Sequence, residues 1–228
     1  MSKKNKVIAL RGIVDDEIIV EQFEKLQVNI GLASVDEKIK VIQITSSVQD
    51  EGKTTVAVNL ANAYAMKGAK VLVIDLDIRR PKIHRNFKQT NDNGIVDYAA
   101  GKITKDNLIK RTTYGIDVIF TGNKTPYPVK ILESSLIKNL VEDMRNQYDY
   151  IIIDTPPVGA VVDPIIVSKL VDTVIFIVQA NKTKKPIIKE SLKQLELAGV
   201  NIAGIVLTNV RLKQSSYKYK YSLDENGN

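Results

Sequence analysis

Cysteine is absent from the chain, which excludes a disulfide framework and a thiolate metal site and accords with a reducing compartment. Long apolar runs are absent too. No stretch approaches the roughly 20 residues needed to span a bilayer, and the lysine-rich start, with Lys3, Lys4 and Lys6, is not followed by the apolar block of a secretory signal. Nor does a linker-like run interrupt the middle, so the 228 residues are expected to form one soluble α/β domain with short extensions. The formal charge of +7 comes from cations spread through the sequence. Such spreading reads as ordinary surface lysine, and nucleic acid is not an expected partner.

What is present is organised around residues 41–65, VIQITSSVQDEGKTTVAVNLANAYA. A buried strand, a loop and a helix opening at Gly52-Lys53-Thr54-Thr55 form the context of a phosphate-binding loop, in which backbone N–H groups and a helix N-terminus converge on an anion. Asp50, Glu51, Gly52, Lys53, Thr54 and Thr55 are the candidate nucleotide contacts. Lys53 supplies the full charge for the β- and γ-phosphates, and Thr54 a hydroxyl for Mg²⁺, which prefers hard oxygen ligands. The pattern G-x-x-x-x-G-K-[ST] is met with one departure, Ser47 at the first glycine position.

Around this centre the pattern alternates. Residues 15–33 carry Ile18, Ile19, Phe23, Leu26 and Ile30 at helical spacing, with acids at the start, and predict an amphipathic helix. Residues 69–77, AKVLVIDLD, predict a buried parallel strand whose acids, Asp75 and Asp77, emerge beside the phosphate loop, followed by Arg79-Arg80-Pro81. A weak helix over 95–100, a strand over 116–120, the loop GNKTPYP and a helix over about 129–147 come next. The run YIIIDTPP then ends a second buried strand in Asp154, placed to hold a metal-bound water near Thr54. Strands over 173–179 and 202–207 flank a helix over 186–198. The expected fold is α/β, a mostly parallel sheet of the P-loop NTPase type with helices on both faces. Residues 1–36 read as an extension with its helix, 37–212 as the nucleotide-binding domain, and 213–228 as a flexible polar tail containing Tyr217, Tyr219 and Tyr221.

The phosphate loop, VLVIDLDIRRP and IIIDTPP together resemble the bacterial tyrosine kinases that regulate capsular and exopolysaccharide synthesis, over roughly residues 21–210 and again in the terminal tyrosine cluster. TPYPVKIL also resembles that family's P-x-P-x-x-[IL]-L segment. The resemblance implies a tyrosine autokinase using ATP and Mg²⁺, with Lys53 and Thr54 on phosphates and metal, and Asp75 and Asp154 supporting the metal. It further implies Asp75 or Asp77 as proton acceptor, Thr208 or Asn209 near the adenine, and Tyr217, Tyr219 and Tyr221 as phosphoacceptors. The partners it implies are a membrane-embedded polysaccharide co-polymerase that acts as activator, protein tyrosine substrates, a cognate tyrosine phosphatase and copies of the chain itself. The place it implies is the inner face of the cell membrane, reached through that activator from the cytoplasm. Two departures carry expectations. Gln49-Asp50 stands where relatives have Pro-Gly, which implies weaker nucleotide affinity, and Glu24 and Gln27 replace the arginines of the self-association motif E-x-x-R-x-x-R, which implies a monomer or small assembly. The alternative reading is a nucleotide-driven switch of the plasmid-partition or division-site type. Those ATPases carry an additional lysine early in the loop, where this chain has Val48 and Gln49.

Overall fold

The computed structural model describes residues 13–14, 16–33 and 38–210. Seven strands make one sheet: β1 (Val41–Ser46), β2 (Val71–Asp75), β3 (Lys110–Arg111), β4 (Asp117–Ile119), β5 (Tyr150–Asp154), β6 (Thr173–Gln179) and β7 (Ile202–Thr208). Their order is β3-β4-β2-β5-β1-β6-β7, and every pairing is parallel except that of β3 with β4. Eight α-helices among the described residues are α1 (Glu17–Leu32), α2 (Lys53–Met66), α3 (Ile83–Asn86), α4 (Ile95–Ala99), α5 (Pro128–Leu132), α6 (Ser135–Arg145), α7 (Asp163–Val167) and α8 (Lys185–Leu197).

The inner strands β1, β2, β5 and β6 are mostly apolar runs because both faces of the sheet are covered there, and alternate residues serve opposite cores. Ile42, Ile44, Val73, Ile152 and Ile177 pack with Val56, Leu60 and Tyr64 of α2 and with Ile30 of α1. On the other face, Leu72, Ile74, Ile151 and Ile153 meet Ile137, Leu140 and Met144 of α6, while Val174, Phe176 and Val178 meet Leu195 of α8. Tyr64 stacks on Tyr150 with ring centroids 3.7 Å apart, which ties α2 to β5. Asp16 caps α1 by accepting N–H bonds from Ile18 and Ile19.

The expected single helix over 129–147 is two. Ser134 adopts an extended conformation, its hydroxyl donates to the Ile131 carbonyl, and its oxygen accepts from Ile137 N–H, so it ends one helix and caps the next. The pair β3 and the helix α7 were not anticipated; β3 is two residues long, and both α7 and the turn after it are too short to show a period.

Candidate functional site

The loop between β1 and α2 is held by its own acid. Glu51 is 1 % exposed, its Oε2 accepts from Val48 N–H at 3.0 Å, and its Oε1 accepts from Gln179 N–H at 3.0 Å and from the Thr183 hydroxyl. The Glu51 carbonyl takes the Thr208 hydroxyl at 2.6 Å. Gly52 then turns the chain into α2 with φ of 94°, and a Cβ added there would lie 3.2 Å from Thr208 Cγ2, so both conformation and space call for glycine. Asp50 also has a positive φ, 58°, although it carries a side chain. Its carboxylate accepts from Lys82 Nζ at 2.7 Å, and Gln49 Oε1 accepts from Arg80 Nη1 at 2.6 Å.

Two acids sit at the ends of neighbouring strands. Asp75 and Asp154 are directly opposite in the β2–β5 register, and both are fully buried. Asp75 accepts N–H bonds from Asp77 on Oδ1 and from Lys82 and Ile83 on Oδ2, at 3.1–3.2 Å, so the loop after β2 folds around it. Burial, and then the charge of Asp154, holds its carboxyl well above the usual carboxylate range. Asp154 Oδ2 accepts the Thr54 hydroxyl at 2.6 Å, while Oδ1 is buried without a partner. Burial raises Asp154 to about 7, opposed by Lys53 and by the Thr54 bond. Lys53 is itself buried, which lowers its pKa against the pull of Asp154 and Asp77. Asp77 is less enclosed: Oδ1 accepts from Arg80 N–H at 3.0 Å, and burial raises its pKa.

Beside these acids, Arg79 is fixed by two bonds to buried Asp163, at 2.8 and 3.0 Å. Arg79 also forms part of the wall of a cavity of about 650 Å³ bounded by Pro126, Tyr127, Pro128 and Lys130. The donor set suits a magnesium ion with its waters and phosphate oxygens. Among the described residues no group of three or more acidic or histidine side chains is placed to hold a metal alone, and Mg²⁺ is commonly held by one or two protein oxygens with phosphates supplying the rest. The unpartnered Asp154 oxygen next to the Thr54 hydroxyl fits that role.

An AAA domain model matches residues 39–197. The chain is 32 % identical to the putative tyrosine-protein kinase CapB of Staphylococcus aureus, over 98 % of its own length and 100 % of that protein. It superposes on the kinase domain of the Escherichia coli tyrosine kinase ETK with a TM-score of 0.81 at 30 % identity, covering 93 % of this chain and 87 % of that one. It also superposes on the chimerical protein CapA2B2 with a TM-score of 0.83 at 32 % identity, covering 86 % and 87 %. The chain belongs to the bacterial tyrosine kinases.

In this kinase Gly52, Lys53, Thr54, Asp75, Asp77 and Asp154 converge, as the spacing of the three motifs predicts. Asp75, one of the two acids expected as proton acceptor, has no exposed surface and spends both oxygens on backbone N–H groups. Glu51 contributes a loop clamp through its side chain, and Thr208 a support beneath Gly52. Asn209 is exposed with φ of 56°. Tyr217, Tyr219 and Tyr221 lie outside the described residues. Sequence reasoning missed Lys82, Asp163 and Lys182, whose Nζ donates to the Asp50 carbonyl at 3.2 Å. A signal existed only for Asp163, which precedes a proline at a helix start.

Proposed function

We propose that this kinase transfers the terminal phosphoryl group of Mg·ATP to tyrosine within a capsular or exopolysaccharide system, first to Tyr217, Tyr219 and Tyr221 on neighbouring copies. The observation that carries the reading is the meeting of the phosphate loop with two acid-ended strands, where the Thr54 hydroxyl reaches Asp154 Oδ2 at 2.6 Å. Lys53 and the N–H groups of residues 50–55 cradle the phosphates. Thr54 and the unpartnered Asp154 oxygen would hold Mg²⁺, which when bound would neutralise phosphate charge. The phenolic oxygen bonds to the γ-phosphorus as the bond to the bridging oxygen breaks and ADP leaves, and a carboxylate accepts the phenolic proton. Asp77 takes that proton. It is the acid of the second motif with an oxygen left for an incoming group, and its raised pKa suits a proton acceptor. Asp75 instead shapes the loop that carries Asp77.

The similarity to the CapA2B2 chimera supports a membrane-embedded activator as partner. No helix among the described residues is long and apolar enough to cross a membrane, in keeping with recruitment to the inner membrane face through that activator. We assign residues 37–212 to the kinase domain, 1–36 to an extension and 213–228 to the acceptor tail. The switch ATPase is disfavoured because Val48 and Gln49 occupy the region of that class's additional lysine.

The test incubates the full chain with labelled ATP and the activator's cytoplasmic fragment. Asp77→Asn should lose labelling by a factor of about 10²–10⁴ while still binding nucleotide, and a variant with Tyr217, Tyr219 and Tyr221 changed to Phe should lose most of the label. Full labelling of the triple variant refutes the tail assignment, and normal labelling of Asp77→Asn refutes the base. Steady ATP hydrolysis without phosphotyrosine would instead favour the switch.

A further inference from the structure

The tip of the phosphate loop is paired with the loop after β2. Asp50 Oδ1 accepts from Lys82 Nζ at 2.7 Å, Gln49 Oε1 accepts from Arg80 Nη1 at 2.6 Å, and Lys182 Nζ approaches the Gln49 and Asp50 carbonyls at 3.4 and 3.2 Å. Asp50 adopts a left-handed conformation that glycine takes freely, so an anionic side chain has been placed at the lip of a site built for anions, at a conformational cost. Lys82 cannot drift far from this lip, because its backbone N–H is bound to Asp75 Oδ2 beneath it. Its ammonium is also among the charges that act on Lys53, Asp77 and Asp154, the groups lining the phosphate position.

We propose that Lys82 is a further phosphate-binding residue of this kinase and that Asp50 is its resting partner, so that nucleotide binds by taking Lys82 from Asp50. This rests on the reading of residues 47–54 as a triphosphate cradle. The Lys82 and Asp50 side chains are 46 % and 68 % exposed, and a pair so exposed is weak enough to exchange. A phosphate oxygen offers the ammonium the same kind of charge-assisted bond as the carboxylate it replaces. Once released, Asp50 faces the phosphates with Lys182 and Lys53 as further cations acting on it, and its charge opposes binding. Nucleotide affinity in this chain is therefore set by a competition that a glycine at position 50 would lack.

The experiment measures the Kd of Mg·ATP by calorimetry on the full chain for wild type, Asp50→Asn, Lys82→Met and the double variant, with Lys53→Met alongside and circular dichroism to verify folding. Asn tolerates the left-handed conformation, so Asp50→Asn removes charge with little strain. Asp50→Asn should bind about tenfold tighter than wild type, and Lys82→Met should weaken binding about tenfold even in the Asp50→Asn background, each about 1.4 kcal/mol. If Lys82→Met costs nothing once Asp50 is neutral, Lys82 serves only to neutralise Asp50, and the proposal is overturned. Unchanged affinity in Asp50→Asn overturns it equally. Retained binding in Lys53→Met would show that the cradle reading itself has failed, an outcome distinct from either of these.

Discussion

Two buried carboxylates side by side should give the nucleotide-free protein an unusual pH dependence, and Asp154→Asn should remove much of it. Asp154 is 1 % exposed, and its pKa is raised from 3.8 to about 7 by burial. The folded state therefore holds a proton that the unfolded state has released between those values, and stability falls as pH rises through that window, levelling off above about 7. One proton corresponds to a slope of about 1.4 kcal/mol per pH unit, and the full window to at most about 4 kcal/mol. Asp75, held well above its usual range, acts in the same direction. The carboxylates of Asp50, Asp92, Asp97 and Asp172 are lowered and contribute only at more acidic pH. His84, lowered by burial, has the opposite sign below 6.5 and cancels between variant and wild type. Urea unfolding followed by circular dichroism from pH 5.5 to 8 should show Asp154→Asn more stable at pH 8 by about 1–3 kcal/mol, less than the full window because Lys53 loses a charge partner. The difference should shrink toward pH 5.5. With saturating Mg·ATP the trend should reverse, since an ionised Asp154 is needed for the metal. Equal slopes in variant and wild type, or a variant less stable at pH 8, would refute the reasoning.

Other outcomes follow from the same structure. Mg·ATP at about 100 times its Kd should stabilise the protein by roughly 2.7 kcal/mol, and Lys53→Met should abolish the shift in a thermal melt. Ile152, fully buried in a central strand, should cost about 2–5 kcal/mol when changed to Ala, read by urea unfolding. Gly94→Ala would put a Cβ 2.2 Å from Gly122 N and 2.3 Å from Phe120 O, both backbone atoms that cannot swing away, so a loss of at least about 1–3 kcal/mol is expected in the same assay. Light scattering of the isolated chain should find a monomer or small assembly, because Glu24 and Gln27 cannot form the arginine contacts of its relatives; a stable ring without any partner would count against this.

The sequence by itself determined the architecture and the centre of the site. Runs such as VIQITS and YIIID, short and rich in β-branched residues, read as strands covered on both faces, and Gly52-Lys53-Thr54 between strand and helix needs no distant residue to be recognised, because loop, charge and helix start are contiguous. Asp75, Asp77 and Asp154 were legible for the same reason, as acids closing apolar runs. What each acid does was decided only by the fold. Asp75 and Asp77 are two residues apart and chemically identical, yet one is closed over by the N–H groups of Lys82 and Ile83 while the other keeps an oxygen available. Glu51 looked like a phosphate neighbour, and its side chain became a clamp because β6 passes beside the loop, 128 residues along the chain. The Asp50–Lys82 pair, 32 residues apart, and the Arg79–Asp163 pair, 84 apart, follow from the strand order β2-β5-β1, which brings the ends of distant segments to one edge. Burial and hydrogen-bond partners are properties of the assembled sheet, and no local pattern of residues records them.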